Sequence, residues 1–134
     1  MKVYDVQEIE LAVPAERAFE WIADPRHLPE WTQAFAAADE TSAVFKTPEG
    51  DVRIGLEVRS HRPSTTVDWH MRFPGGEVAR AHSRIVELTR DRCVYAFFLL
   101  APPVPLERIE GALEAQKKTL AQELRALKAR LERR

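Results

Sequence analysis

The sequence contains little cysteine, little glycine and no long apolar run. Its one cysteine, Cys93, excludes an intrachain disulfide and any cysteine-based zinc site. Its 5 glycines form no Gly-rich phosphate-binding loop. The longest apolar run, near Cys93, is far too short to cross a bilayer. We therefore expect a protein that uses no cofactor and makes no stable membrane insertion.

An excess of charge of one sign is also missing. The chain has 20 Lys and Arg residues against 21 Asp and Glu residues, which gives a formal net charge of -1. Proteins that bind nucleic acid usually carry a strong basic excess, so we expect no nucleic-acid partner. The first residues lack the long apolar stretch of a signal peptide, and a cytoplasmic location is the default expectation.

The composition is that of one ordinary globular domain. Hydrophobic residues make up 45% and charged residues 31% of the 134 residues. A chain of this length buries about two-thirds of its unfolded surface, which is enough for one core. No internal repeat and no low-complexity linker divides the sequence. We therefore predict a single domain over residues 1–134.

Alternating apolar and polar residues predict a meander of antiparallel strands in the middle of the chain. The clearest alternation covers 52–58, and the pattern returns at 67–73 and 79–85. Between the last two segments, Gly75 and Gly76 mark a hairpin turn.

The parity of the arginines in these strands restricts how the hairpin can pair. A slip of one residue would place arginines in the core, so only even shifts are acceptable. The simplest pairing sets Trp69 opposite Ser83, Met71 opposite Ala81, and Phe73 opposite Ala79. Because large residues then face small ones, the pattern predicts a hollowed, concave sheet face.

Leucines at helical spacing predict one long C-terminal helix, from Leu106 to Leu131. A continuous helix would have about 28 residues and a length of about 42 Å. We expect the leucines of this helix from Leu106 to Leu124 to be buried in the core. A helix of this length could also extend past the domain, and a homodimer through Leu127 and Leu131 is the alternative for its last turns.

The residues after the first predicted strand resemble a known family. The segment Val13-Pro14-Ala15-Glu16-Arg17-Ala18-Phe19-Glu20-Trp21-Ile22-Ala23-Asp24-Pro25, followed by Leu28-Pro29-Glu30-Trp31, resembles the opening of the START-like SRPBCC superfamily. The resemblance is strongest to the branch of polyketide cyclase/dehydrase and lipid-transport proteins. In element order it covers nearly the whole chain. It implies an α+β helix-grip fold, in which a curved antiparallel sheet of about six or seven strands surrounds the C-terminal helix and two short helices follow the first strand.

The resemblance implies a function of binding. We expect the chain to bind or carry a small hydrophobic molecule, lipid-like or polyketide-like, in a cavity between the sheet and the C-terminal helix. The alternative is an enzyme of the polyketide cyclase/dehydratase kind. A protein-interaction module with a filled cavity is the second alternative. The superfamily has no common catalytic set, and the predicted cavity face offers no compelling ionisable candidate, so we assign no catalytic residue.

The residues expected to contact the ligand have inward parity on the strands or face the cavity from the helix. In the strand 93–100, which is apolar on both faces, either Ala96 and Phe98 or Tyr95 and Phe97 point inward. Trp31 is expected to be a core anchor. The predicted ligand-binding residues are Leu56, Val58, Trp69, Met71, Phe73, Ala81, Ser83, Phe98, Ala112 and Gln116.

Two histidines require a separate test. In the predicted pairing His70 and His82 are direct cross-strand neighbours. Two imidazoles could bind a metal with Asp68 or Glu57 as a third ligand. Their parity, however, places them on the polar face among arginines, which repel a divalent cation. We therefore predict no metal site.

Overall fold

A computed structural model gives the architecture. It describes residues 3–47, 50–101 and 106–133, without the side chains of residues 106–112. Seven strands and three α-helices are present in this part of the chain, and a 3₁₀ turn at Pro25–His27 precedes the second helix. In chain order they are β1 (Tyr4–Leu11), α1 (Ala15–Ala23), α2 (Leu28–Trp31), β2 (Phe35–Ala38), β3 (Ser42–Thr47), β4 (Gly50–His61), β5 (Thr66–Arg72), β6 (Val78–Thr89), β7 (Arg92–Leu100) and α3 (Leu106–Glu132).

All seven strands form one antiparallel sheet. Its order is β1-β7-β6-β5-β4-β3-β2, so the first strand pairs with the last and the other strands follow as a meander. The sheet curls around α3, and α1 packs against β5, β6 and β7. This architecture confirms the predicted α+β helix-grip fold.

The pairing of β5 with β6 differs from the prediction by two residues. Trp69 pairs with Ala81 and Met71 with Ala79, whereas Ser83 lies opposite Val67. The predicted partners of Trp69, Met71 and Phe73 are therefore wrong. An even shift keeps every side chain on its predicted face, so large residues still oppose small ones.

The turn between β5 and β6 explains this shift. The ladder ends at the pair Arg72 and Val78, and Phe73 leaves it. The Phe73 N–H donates to the Glu77 carbonyl at 2.9 Å, and the Gly76 N–H donates to the Phe73 carbonyl at 2.9 Å. Gly76 has a φ of 93°, which glycine adopts without strain. The loop thus covers the five residues 73–77, whereas the predicted pairing of Phe73 with Ala79 placed it at 74–78.

The end of α3 lies in the core. Leu127 and Leu131 are 0% and 1% exposed. The Glu132 carboxylate accepts a hydrogen bond from the Ala12 N–H at 2.8 Å, and the Lys128 ammonium donates to the Glu10 carbonyl at 2.9 Å. The expectation that the last turns could be free for self-association is therefore wrong, because both leucines are buried in the hydrophobic core.

Over residues 3–47, 50–101 and 106–133, the structure contains no helix with the length and apolar character needed to span a membrane.

Candidate functional site

A cavity of about 350 Å³ lies between the concave face of the sheet and α3. Its described lining is mainly apolar, and five of the lining residues are of polar or charged type: Thr32, Arg80, Gln116, Thr119 and Glu123. Small-molecule sites in proteins have this character, because apolar surface supplies affinity and a few polar groups fix orientation. The remaining lining residues are Leu28, Trp31, Ala34, Phe35, Phe45, Trp69, Met71, Phe73, Ala79, Ala81, Phe97, Leu99, Leu100, Ala115 and Leu120.

Aromatic rings form much of the cavity surface. Trp69 of β5 stacks on Phe97 of β7, with ring centroids 5.7 Å apart. Trp31, the last residue of α2, meets Phe97 edge-on at 6.4 Å. Phe45 and Phe73 are likewise edge-on at 5.5 Å. Because each ring packs on another from a different element, this surface is rigid and presents flat apolar faces.

The inward parity of β5 explains why these rings meet. Trp69 and Met71 point to the concave face, and their partners on β6 are the small residues Ala81 and Ala79. Small side chains on β6 leave room above them, so the rings of β5 and β7 border space instead of filling it. Trp31 is 4% exposed and contacts the cavity as well, so it is both a core anchor and part of the lining.

Half of the predicted ligand-binding residues line the cavity. The five that do so are Trp69, Met71, Phe73, Ala81 and Gln116. Leu56, Val58 and Ser83 share the inward face but lie outside the lining. Ser83 is 2% exposed, and its hydroxyl donates to the Val67 carbonyl at 2.6 Å. The side chain of Ala112 falls outside the described residues.

The placement of Phe98 in the cavity is wrong. Phe98 pairs with Val6 of β1 and His82 of β6 on the outer face, and it is 41% exposed. Tyr95 and Phe97 point inward instead, with 0% and 9% exposure. Because β7 is apolar on both faces, the sequence could not show which of them points into the cavity.

Glu123 is an ionisable residue of the cavity that was not predicted from the sequence. Glu123 lines it from α3, and its Oε2 accepts the Gln33 N–H at 2.7 Å. Burial raises the pKa of the Glu123 carboxyl above its ordinary value, and the Gln33 N–H opposes this in part by favouring the charged form. The spacing of Gln116, Thr119 and Glu123, three and then four residues apart, is the signal that could have placed them on one side of the helix.

Three buried hydrogen-bond donors close to the cavity have no partner within the described part of the chain. They are the Nε1 atoms of Trp31 and Trp69 and the hydroxyl of Tyr95. Burial raises the pKa of Tyr95 far above its ordinary value, and the nearby Ser83 hydroxyl opposes this only partly. Ser83 gives its own hydrogen to Val67.

The two histidines are diagonal neighbours and not direct ones. His70 pairs with Arg80, and His82 with Asp68, whose Oδ1 lies 3.2 Å from the His82 Nδ1. The imidazole rings are edge-on at 6.4 Å. Among the residues that the structure describes, no group of three or more His, Cys, Asp or Glu side chains could hold a metal ion.

Comparison with known proteins finds similarity in structure and not in sequence. No protein-family model matches the chain, and no curated protein matches it. Among solved structures, a START superfamily protein from Mycobacterium smegmatis aligns with a TM-score of 0.69 and 16% identity, covering 96% of this chain and 97% of that one. The Zhui aromatase/cyclase from Streptomyces sp. R1128 aligns with a TM-score of 0.68 and 12% identity, covering 98% and 94%.

A third similar structure is the di-domain ARO/CYC BexL from the BE-7585A biosynthetic pathway. It aligns with a TM-score of 0.72 and 14% identity over 98% of this chain and 47% of that one. This chain has the START-like fold. At these identities the likeness establishes the START-like architecture alone, because one architecture supports many functions.

Glu123 gives the START-like domain a pH-dependent stability that can be measured. Its folded pKa lies above the unfolded value, so the folded state holds the proton more tightly. The free energy of unfolding then falls as the pH rises from the ordinary glutamate pKa to the folded one. We expect Glu123→Gln to remove this loss while its amide oxygen still accepts the Gln33 N–H. Urea unfolding from about pH 4 to pH 8 should show the variant gaining stability relative to the parent as the pH rises.

Glu8→Gln is the control, because Glu8 is an exposed residue of β1 that makes no ion pair with any residue in the described ranges. Its difference from the parent should stay nearly constant over the same pH range. A constant difference for Glu123→Gln would contradict the burial of its carboxyl.

Proposed function

We propose that the protein binds a small, compact and mainly apolar molecule, one that contains rings, in the cavity between the sheet and α3. The observation that carries this proposal is the 350 Å³ cavity with stacked and edge-on aromatic rings in its lining. Flat rings on Trp69, Phe97 and Trp31 offer stacking and edge contacts to a planar ligand. Binding or carriage of such a molecule requires the cavity and its aromatic lining, and it requires no catalytic group.

The size of the cavity restricts the ligand. Its volume lies near the lower end of the range of about 300–1,000 Å³ for small-molecule pockets. A compact ring system suits this space better than a long acyl chain, so within the lipid-like and polyketide-like classes the polyketide-like ligand is favoured. A protein-interaction module would have a filled interior, and the open space between Ala81 and α3 argues against it.

Structural likeness supports the proposal by analogy only. The similar structures include proteins named for the START superfamily and for aromatase/cyclase activity. The shared fold explains how a curled sheet and a long helix enclose such a space. The choice of ligand depends on the residues of this chain, and those are the aromatic lining and its few polar groups.

Filling the cavity from the β6 side tests the proposal. Ala81 is 8% exposed and lines the cavity, so Ala81→Leu places three more carbon atoms in the space that a ligand would use. N-phenyl-1-naphthylamine, an uncharged probe that fluoresces in apolar surroundings, should bind the parent protein with one site per chain. We expect Ala81→Leu to weaken this binding at least about tenfold, which corresponds to about 1.4 kcal/mol.

Ala96→Leu is the control for this substitution. Ala96 is a half-buried residue of β7 whose parity places it on the outer face, next to Phe98. It should leave probe affinity unchanged. Equal affinities for the parent and both variants, or no probe binding by the parent, would overturn the proposal.

A cyclase-type enzyme is the second candidate, and Glu123 is the observation that favours it. A carboxylate with a raised pKa is a stronger base than an exposed one. Glu123 would take the proton from a carbon between two carbonyl groups of a poly-β-keto chain. That carbon would then bond to a third carbonyl of the same chain, whose oxygen would take the proton back from Glu123. Loss of water would follow.

The enzyme candidate has its own measurement. A synthetic poly-β-keto thioester long enough to close a six-membered ring would be incubated with the protein, and the cyclised, dehydrated product would be followed by mass spectrometry. We expect faster product formation than in buffer, lost in Glu123→Gln while N-phenyl-1-naphthylamine still binds. A rate equal to buffer, or an unchanged rate in the variant, would leave binding as the only function.

A further inference from the structure

Strands β6 and β7 separate at one end of the cavity. Their ladder ends at the pair His82 and Phe98. Beyond it, β6 remains paired with β5 as far as Val78, and β7 remains paired with β1 as far as Leu100. Over residues 78–81 and 99–100 the two strands therefore belong to the same sheet but do not pair with each other in the described structure.

The cavity reaches this separation from inside. Arg80 and Leu100 both line it, although their parity belongs to the outer face of the sheet. They are the only strand residues of that parity in the described lining, and they lie on the two sides of the separation. An outward-facing residue borders an interior cavity where the sheet is interrupted. Two outer-face residues border the cavity and both flank the separation, which points to an opening of the cavity through the sheet at this place.

The opening is positively charged. Arg80 is exposed, and it makes no ion pair or side-chain hydrogen bond with any residue in the described ranges. His70 lies opposite it on β5, and Arg72 and Arg84 share its face. Asp68 of β5 and Glu57 of β4 are acids on that face: Asp68 lies 3.2 Å from His82, and Glu57 forms an ion pair with Arg59 at 3.1 Å. Arg80 thus offers its guanidinium to an anion at the edge of an apolar space.

Glu123 is the other charged residue of the lining, and unlike Arg80 it has a hydrogen-bond partner. Glu123 already accepts the Gln33 N–H, and no ion pair joins it to Arg80 in the described part of the chain. An acidic group on a ligand would be repelled by the Glu123 carboxylate and attracted by Arg80. These two charges would therefore orient the ligand, with its acidic group away from Glu123.

We propose that the ligand is an amphipathic anion, whose carboxylate, sulfonate or phosphate lies on Arg80 in the opening between β6 and β7 and whose rings occupy the aromatic cavity. This inference rests on the proposed binding function and adds the chemical class of the ligand. A guanidinium is suited to such groups, because it donates two parallel hydrogen bonds to a planar or tetrahedral oxyanion.

Two probes with one skeleton test the inference. N-phenyl-1-naphthylamine is uncharged, and 8-anilinonaphthalene-1-sulfonate is the same molecule with a sulfonate. The affinity of the second would be measured by displacement of the first, so that both report on one site. We expect the parent protein to prefer the sulfonate by about tenfold. The preference should decrease as salt is added, because the opening is at the surface.

Substitution of the arginine supplies the decisive comparison. Arg80→Gln should abolish the preference for the sulfonate, measured as the ratio of the two probe affinities in the same variant, while Arg80→Lys should retain part of the preference. Arg84→Gln is the matched control, since Arg84 is exposed on the same strand and face but does not line the cavity. Thermal unfolding of each variant would verify that it is folded.

The outcomes separate the two proposals. If the uncharged probe binds but the sulfonate has no advantage, or if Arg80→Gln and Arg84→Gln behave alike, this inference is overturned and the binding function remains. If neither probe binds the parent protein, the binding function itself is overturned.

Discussion

The docking of α3 into the concave face of the sheet is the contact on which the rest of the structure depends. Its leucines from Leu120 to Leu131 belong to the main core, whereas Leu113 is buried outside that cluster. The Glu132 contact with Ala12 fastens the C-terminal end of the helix to the end of β1. Nearer its N-terminal end the helix is held by Gln7, whose Nε2 donates to the Lys117 carbonyl at 3.0 Å, and the neighbouring Gln116 and Thr119 line the cavity between helix and sheet.

That space persists because the sheet does not fill it. Trp69 and Met71 lie opposite alanines on β6, so their rings and chains border the cavity without a large partner across the ladder. An internal void of this kind lowers stability, since its lining atoms lose packing contacts. A fold selected only for stability would close such a space, and the open space is the feature that the proposed binding function requires.

Parity and helical spacing allowed much of this to be predicted from the sequence. Alternation located β4, β5 and β6 and their inward faces, and the leucine spacing located α3. The pairing of Trp69 could not be read in the same way, because a two-residue shift preserves parity and only the geometry of the turn at Gly76 decides it. The inward face of β7 was ambiguous, since Phe97 and Phe98 are equally apolar. Glu123 was missed because its role depends on how α3 is rotated against Gln33, a tertiary contact.

The central claim is that the interior of this protein holds a molecule. Native mass spectrometry of the protein as purified, followed by denaturing extraction of whatever is bound, tests it most directly. The account predicts one compact, ring-containing molecule per chain, or uptake of one added apolar probe per chain by protein that was purified empty. A mass equal to the polypeptide alone, unchanged by an excess of such probes, would contradict it and would mean that the space between β6 and α3 closes in solution.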